Sequence, residues 1–405
     1  KNEKGVMRWE YGIRNCEFKN PTKIVFGKDQ IKGINDLIPQ DAKVLILYGG
    51  GSVKKFGTFD RLVEALGNRE WSEFGGIEAN PTYETLIQAV DKIKAEGYDY
   101  LLAVGGGSVI DGVKFVAAGA VFDGDPVDMF GSGVGKGLPV TKALPFGTVL
   151  TLPATASEMN NNSVVTFVEK QAKISFASPH TYPQFSILEP EATYTLPKRQ
   201  LANGVIDSFI HVMEAYLTYP IDARVQDRWA EGLLQTLIEI GPDVVDEDNH
   251  DYATRANFMW TATNALNRFI SPGVPQDWST HALGHEMTLA FGIDHARTLA
   301  IVLPAMMKVR KQQKWDKLLQ YAERVWDIRS DSDLTSDEEK IDLAIKKTED
   351  FFVSLGAPIR FSDVELGESD IPGLVEALVR HEKENISERG DFTSEDARAV
   401  YTAAL

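Results

Sequence analysis

An α/β half built on a parallel sheet, followed by an all-helical half, is the fold this chain predicts, on three observations. Short apolar runs alternate with amphipathic helical periods over the first 195 residues, and glycine runs stand at the carboxyl ends of two of those apolar runs. From residue 196 onward the texture changes to long helical periods with few strand candidates. Strand and helix in alternation imply parallel strands with helices on both faces and ligands at the strand carboxyl ends. A chain of 405 residues exceeds what one hydrophobic core serves, so two domains, 1–195 and 196–405, are expected.

In chain order, residues 21–27 read as a short strand entering a turn, after a tail with little pattern. Val44-Leu45-Ile46-Leu47-Tyr48 is a continuous apolar run of the kind a sheet buried on both faces needs. It ends in Gly49-Gly50-Gly51-Ser52, and an amphipathic helix follows to about Leu66. A strand at 71–74 precedes a loop and a helix over 82–96, whose Leu86, Ala89, Val90 and Ile93 keep a period near 3.6. The third buried strand, 100–104, leads into Gly105-Gly106-Gly107-Ser108 and a helix over 109–120. Residues 121–145 read as a loop, the stretch from Val149 to Glu158 closes a fourth strand with a polar segment, and strand-like pieces stand near 163–168 and 184–188.

Composition excludes several classes of function. An apolar fraction of 43% and a charged fraction of 25% are those of an ordinary globular protein. No apolar run reaches the roughly 18–20 residues of a membrane helix; the closest, 113–122, contains Lys114. The net charge of −17 repels nucleic acid and anionic membranes, and a high-salt habitat is one further reading of it. Lys1-Asn2-Glu3-Lys4-Gly5-Val6 lacks a signal-peptide apolar segment, and Met7 reads as the native start, so a cytoplasmic location is expected. Cys16 is the single cysteine, which rules out multi-thiolate metal sites and leaves nitrogen and oxygen as ligands.

Those ligands are concentrated in one region. Asp207 and His211 stand four apart, and so do His281 and His285, with His295 close behind. If 198–217 and 277–290 are helices, each pair lies on one helical face. Two such helices facing each other gather imidazoles and a carboxylate, a set suited to Zn, Fe or Mn with a position left for substrate. Chance scatter of core or surface histidines is the competing reading, and two such pairs plus a fifth group weigh against it. A zincin is excluded, because Leu289 stands where the second histidine of that motif belongs.

Each Gly-Gly-Gly-Ser lets a ligand approach the backbone and offers amide N–H groups at a helix start, where an anion is favoured. A nucleotide pyrophosphate fits over Gly105-Gly106-Gly107-Ser108, although a tight turn alone is the alternative. Neither run is a Rossmann fingerprint, since Ile110 occupies the place of the third glycine. At the end of the early strand, where a carboxylate would repel a 2′-phosphate, the chain has Gly49-Gly50-Gly51-Ser52 with Lys54 and Lys55 just beyond. NADP(H) is therefore expected over NAD(H).

Phe-Gly-Lys at 26–28, Tyr-Gly-Gly-Gly-Ser at 48–52, Gly-Gly-Gly-Ser-Val-Ile-Asp at 105–111, Thr-Leu-Pro-Ala-Thr-Ala-Ser-Glu at 151–158 and the histidine region occur in one order. In this the chain resembles the iron-containing, or group III, metal-dependent alcohol dehydrogenases, most closely their butanol-dehydrogenase-like branch of NADPH-dependent aldehyde reductases. The resemblance implies an α/β dinucleotide-binding domain, an all-helical domain, an active site in the cleft between them, and a homodimer. It implies Asp207, His211, His281 and His295 as ligands of one divalent metal, Fe, Zn, Mn or Co, and His285 beside the nicotinamide as a proton relay. Cofactor contacts implied by the matching positions are Gly49, Gly50, Gly51, Ser52, Gly105, Gly106, Gly107, Ser108, Asp111, Thr151, Thr155, Asn160 and Lys173. Two places depart from the family pattern: Asp294-His295-Ala296 stands where Pro-His-Gly is common, and Ala154 and Ala156 stand where glycine is common.

A divalent metal so held keeps a net local charge near +1 and acts as a Lewis acid on the oxygen of a small aldehyde or alcohol. The alternatives are a glycerol dehydrogenase or dehydroquinate-synthase-like enzyme of the same fold, and a metal- and nucleotide-binding regulator without catalysis. Turnover on polyols or sugar phosphates marks the first, and no NADPH oxidation with butanal marks the second.

Overall fold

The computed structural model describes residues 11–329 and 336–405. The amino-terminal residues read above for a leader and a start lie outside them.

The strands are β1 (Lys23–Phe26), β2 (Val44–Tyr48), β3 (Trp71–Phe74), β4 (Tyr100–Gly105), β5 (Phe146–Leu150), β6 (Asn162–Phe167), β7 (Ala172–Ala177) and β8 (Phe185–Leu188). Six of them form one sheet in the order β1-β8-β5-β4-β2-β3, every neighbour parallel. β6 and β7 pair antiparallel as a separate hairpin. Between the strands run α1 (Ser52–Lys55), α2 (Thr58–Leu66), α3 (Tyr83–Glu96) and α4 (Gly107–Gly119).

Successive side chains of a strand point to opposite faces, and both faces here are covered. Leu45, Leu47, Leu101 and Ala103 meet Leu86, Val90, Ile110 and Val113 of α3 and α4 on one side. Val44, Ile46, Leu102 and Val104 meet Phe59, Leu62 and Leu66 of α2 on the other. That double coverage is why β2 and β4 are buried at every residue and read as unbroken apolar runs.

β5 ends at Leu150, just ahead of the polar segment that closes it, and its polar Thr148 is satisfied inside the sheet by a 2.6 Å hydrogen bond to Ser186 Oγ. β7 and a 3-10 turn at Ile31–Leu37 were not anticipated and lie in stretches without a clear sequence pattern.

Beyond Leu188 the described residues contain no strand. The helices there are α5 (Lys198–Tyr216), α6 (Arg224–Val244), α7 (Tyr252–Ala265), α8 (Ser279–Phe291), α9 (His295–Val309), α10 (Trp315–Arg324), α11 (Asp337–Ser354), α12 (Ile371–Arg380) and α13 (Ser394–Ala403). α5 is buried at every residue from 204 to 216, which marks it as the central helix of this half. Val205, Phe209, Val212 and Met213 pack into one cluster with residues of α6, α7, α9 and α11.

Candidate metal centre and cofactor cleft

Asp207 and His211 lie one turn apart on α5, His281 and His285 one turn apart on α8, and His295 is the first residue of α9. Two close helix contacts bring these groups together. A Cβ on Gly284 would lie 2.6 Å from Thr298 Oγ1, so α8 and α9 approach at a distance only glycine allows at that point. A Cβ on Gly204, one turn before Asp207, would lie 2.2 Å from the Pro153 carbonyl oxygen. The ligand-bearing helix therefore rests directly on the turn that follows β5.

Three imidazole nitrogens converge on one carboxylate oxygen. From Asp207 Oδ1 the Nε2 atoms of His211, His281 and His295 are 3.3, 3.6 and 3.2 Å away. Among the described residues, Asp207, His281 and His295 offer ligand atoms all within 4.8 Å of one another, and His211 joins through its contact with the carboxylate. His285 stands beside this set, its ring 5.4 Å from that of His295 and 6.0 Å from that of His281.

The residues fit a divalent cation. Asp207 Oδ1 and His281 Nε2 are buried and, despite their proximity, have no partner in hydrogen-bond geometry, a costly state unless something else satisfies them. Burial works to raise the Asp207 carboxyl, but His211 and His295 outweigh it and hold it well below the usual carboxylate range. Burial pushes His211 down to about 3 and lowers His295, so both stand neutral, as ligands must. For His281 burial also acts downward, yet Glu214 and Asp207 prevail and take it to about 9. Its Nδ1–H donates to Glu214 Oε1, leaving Nε2 as the atom a metal would claim.

The cofactor cradle lies at three adjacent strand ends. β2, β4 and β5 are neighbours in the sheet, so Gly49-Gly50-Gly51-Ser52, Gly105-Gly106-Gly107-Ser108 and the turn carrying Thr151 and Thr155 stand side by side; Thr151 N donates to Gly105 O at 2.9 Å. Asp111 and Asn160 are turned inward. Asp111 accepts from Ser157 Oγ at 2.5 Å and Val164 N at 3.0 Å, and Asn160 Oδ1 accepts from Lys114 Nζ at 2.9 Å. Lys114 is fully buried and also donates to Ser157 Oγ and the Asn162 carbonyl. Lys173 on β7 is buried with one hydrogen bond, to Asn80 Oδ1 at 2.8 Å, and burial takes its ammonium down to about 8.

Of the residues that depart from the family pattern, Asp294 has a local role and Ala156 a local cost. Asp294 accepts from Arg199 Nε at 2.8 Å and Asn203 Nδ2 at 3.1 Å, anchoring the start of α9 to α5. Ala156 holds the left-handed conformation at φ 56°, where a methyl group costs about 1–2 kcal/mol.

Several residues of the site have no signature in the sequence. Glu214 is one. Glu286, next to His285, accepts from His381 Nδ1 at 2.8 Å and pairs with Lys383 Nζ at 3.2 Å. Lys383 also donates to the Lys173 carbonyl at 3.3 Å, so it ties α8 to the hairpin across the cleft. Only the spatial meeting of distant segments identifies them.

Residues 21–190 match the family model of the iron-containing alcohol dehydrogenases, and residues 201–405 match that of the Fe-containing alcohol dehydrogenase family, C-terminal. The chain is 50% identical over 394 residues to the NADPH-dependent aldehyde reductase YqhD of Escherichia coli K12, covering 97% of this chain and all of the relative. It is 37% identical to a probable NADH-dependent butanol dehydrogenase of Bacillus subtilis, over 97% of this chain and all of that one. The crystal structure of E. coli K-12 YqhD superposes with a TM-score of 0.94 at 49% identity, over 98% of this chain and all of that one. That of NADH-dependent butanol dehydrogenase A from Thermotoga maritima does so with a TM-score of 0.90 at 33% identity, again over 98% and 100%. Matched in both halves and along nearly its whole length, the chain belongs to the iron-containing alcohol dehydrogenase family.

Proposed function

We propose that this enzyme is a metal-dependent, NADP(H)-linked oxidoreductase that interconverts small primary alcohols and aldehydes, working chiefly as an aldehyde reductase in the cytoplasm and as a homodimer. The observation that carries the reading is the convergence of three imidazole nitrogens on Asp207 Oδ1, with α5 seated on the turn beside the glycine runs. We divide the chain into domains at about residue 195. Asp207, His211, His281 and His295 would hold the metal, which when bound supplies a Lewis acid to the substrate oxygen.

The chain's own residues do the rest. Backbone N–H groups at the starts of α1 and α4 receive the cofactor's phosphates, and Lys173 brings an ammonium to the same cleft. Burial, with Lys173 and Lys383 nearby, holds His285 well below its usual range. It stands neutral and makes no hydrogen bond to another described residue, so its ring would be free to relay a proton from solvent toward the cofactor's ribose hydroxyl during reduction, and back during oxidation.

NADP(H) is favoured over NAD(H) by what surrounds the first glycine run. The nearby carboxylate, Glu73 on β3, accepts from Tyr48 Oη and Lys54 Nζ, each at 2.7 Å, and these bonds lower its pKa. It is thus already engaged rather than set to receive a ribose, while Lys55 is exposed. With metal-loaded enzyme and butanal, kcat/KM for NADPH exceeds that for NADH by at least about tenfold, the worth of one charge-assisted contact. Parity or an NADH preference overturns the assignment.

A pH profile tests Lys173 separately. Its folded pKa is depressed to about 8, so the ammonium is charged below that pH and lost as pH rises through it. Affinity for an anionic cofactor is accordingly highest below pH 8 and weakens above. Fluorescence titration of NADPH from pH 6.5 to 9.5 shows this fall in the wild type. Lys173→Met binds about 10- to 100-fold more weakly, the value of a hydrogen bond to a charged group, with no inflection near 8. Identical profiles in the two proteins remove Lys173 from the cofactor site.

A further inference from the structure

We infer that Glu214 is a positioning residue of the metal centre, holding His281 in the one tautomer and ring orientation that aim Nε2 at the metal. The inference rests on the metal reading above and concerns how the site is supported.

Glu214 lies seven residues after Asp207 and three after His211 on α5, so it shares their helical face. It is 4% exposed. Its Oε1 takes the Nδ1–H of His281, while its Oε2 is buried without a partner. Among the described residues no lysine or arginine nitrogen lies within 4.0 Å of it; the imidazole of His281 is its single ion-pair partner. A carboxylate buried in that way is expensive unless positive charge stands close. A metal on the far side of the same ring supplies it, through a carboxylate–imidazole–metal line that also makes the imidazole a better donor.

Among the described residues, neither of the other two imidazoles has a carboxylate on its outer nitrogen; His211 has only a backbone contact, with Ala154. The Nδ1 atoms of His211 and His295 are buried without a hydrogen bond of good geometry. The Glu214 main chain reinforces the link: its carbonyl accepts from Asp277 N at 2.9 Å. Asp277 in turn accepts from Ser279 N at 2.9 Å at the start of α8 and pairs with Lys314 Nζ at 2.8 Å. One residue of α5 thus fixes both the backbone entering α8 and the ring that α8 delivers.

Metal-free wild type, Glu214→Gln, Glu214→Ala and His281→Ala are titrated with Co²⁺, following the visible absorption of the bound ion and, in parallel, the melting of each metal-free protein. The wild type takes up one equivalent, and Glu214→Ala binds roughly 10- to 100-fold more weakly with an altered spectrum, the usual effect of losing an outer partner. Glu214→Gln, whose amide oxygen still accepts from Nδ1–H, recovers part of the affinity and the wild-type spectrum. Wild-type affinity and spectrum in Glu214→Ala, with binding lost in His281→Ala, overturn the positioning role and leave the metal site standing. Failure of Glu214→Ala to fold leaves Glu214→Gln to decide, where loss of affinity without loss of melting temperature supports the role and unchanged affinity in a less stable protein refutes it. No uptake by the wild type removes the metal reading and this inference with it.

Discussion

Alanine at position 207 abolishes metal content and turnover together while the protein stays folded. Asp207 Oδ1 is the one atom that the three Nε2 nitrogens share, so without it the imidazoles face one another with no anion to offset a cation. Lewis-acid stabilisation is worth several kcal/mol, and each 1.36 kcal/mol is tenfold in rate, so activity falls by about 10³-fold or more. Folding is spared because the apolar faces around the site do not depend on the carboxylate: Val205, Phe209 and Val212 keep α5 in its cluster. Elemental analysis of the purified variant, NADPH oxidation with butanal and thermal melting of the metal-free protein check the three parts. A metal-free protein with full activity would end the proposal, and a metal-loaded inactive one would assign Asp207 a role other than ligand.

How far the sequence discloses this site depends on how local the relevant contacts are. β2 and β4 are legible because burial on both faces leaves no polar position to interrupt the run. The ligand pairs are legible because a spacing of four puts two side chains on one helical face whatever the tertiary structure does. β7 is hidden by Lys173, a charged residue that the strand buries beside Ile174. Lys114 reads as an ordinary interruption of an apolar stretch, and only Ser157, Asn160 and the Asn162 carbonyl, more than 40 residues away, show why a lysine can be fully buried there. Glu214 looks like one more polar position on a helix until His281 arrives from α8. Local periodicity reveals which groups share a face; which faces meet is decided by close approaches that no single segment encodes.

Gly204 is the most consequential of those approaches, and Gly204→Ala separates geometry from composition. The added methyl would sit 2.2 Å from the Pro153 carbonyl oxygen and 2.7 Å from Phe258 Cζ, and the first of these is backbone that cannot rotate aside. Either α5 or the turn after β5 has to move. Overpacking of this kind costs about 1–3 kcal/mol, measurable as a lower denaturation midpoint. The larger effect is on turnover. α5 carries two of the metal's ligands and the turn carries Thr151 and Thr155, so any displacement widens the distance between the two halves of the active site while leaving each intact. A misplacement of about 1 Å costs on the order of 10²-fold in rate, so kcat falls by that order while metal content and the Kd for NADPH stay close to wild type. Measuring the three separately distinguishes this from general damage, in which metal and cofactor binding fall along with kcat. Wild-type turnover in a stable Gly204→Ala protein would mean that the contact between α5 and the turn can open without consequence, and that the alignment of metal and nicotinamide is set elsewhere in the cleft.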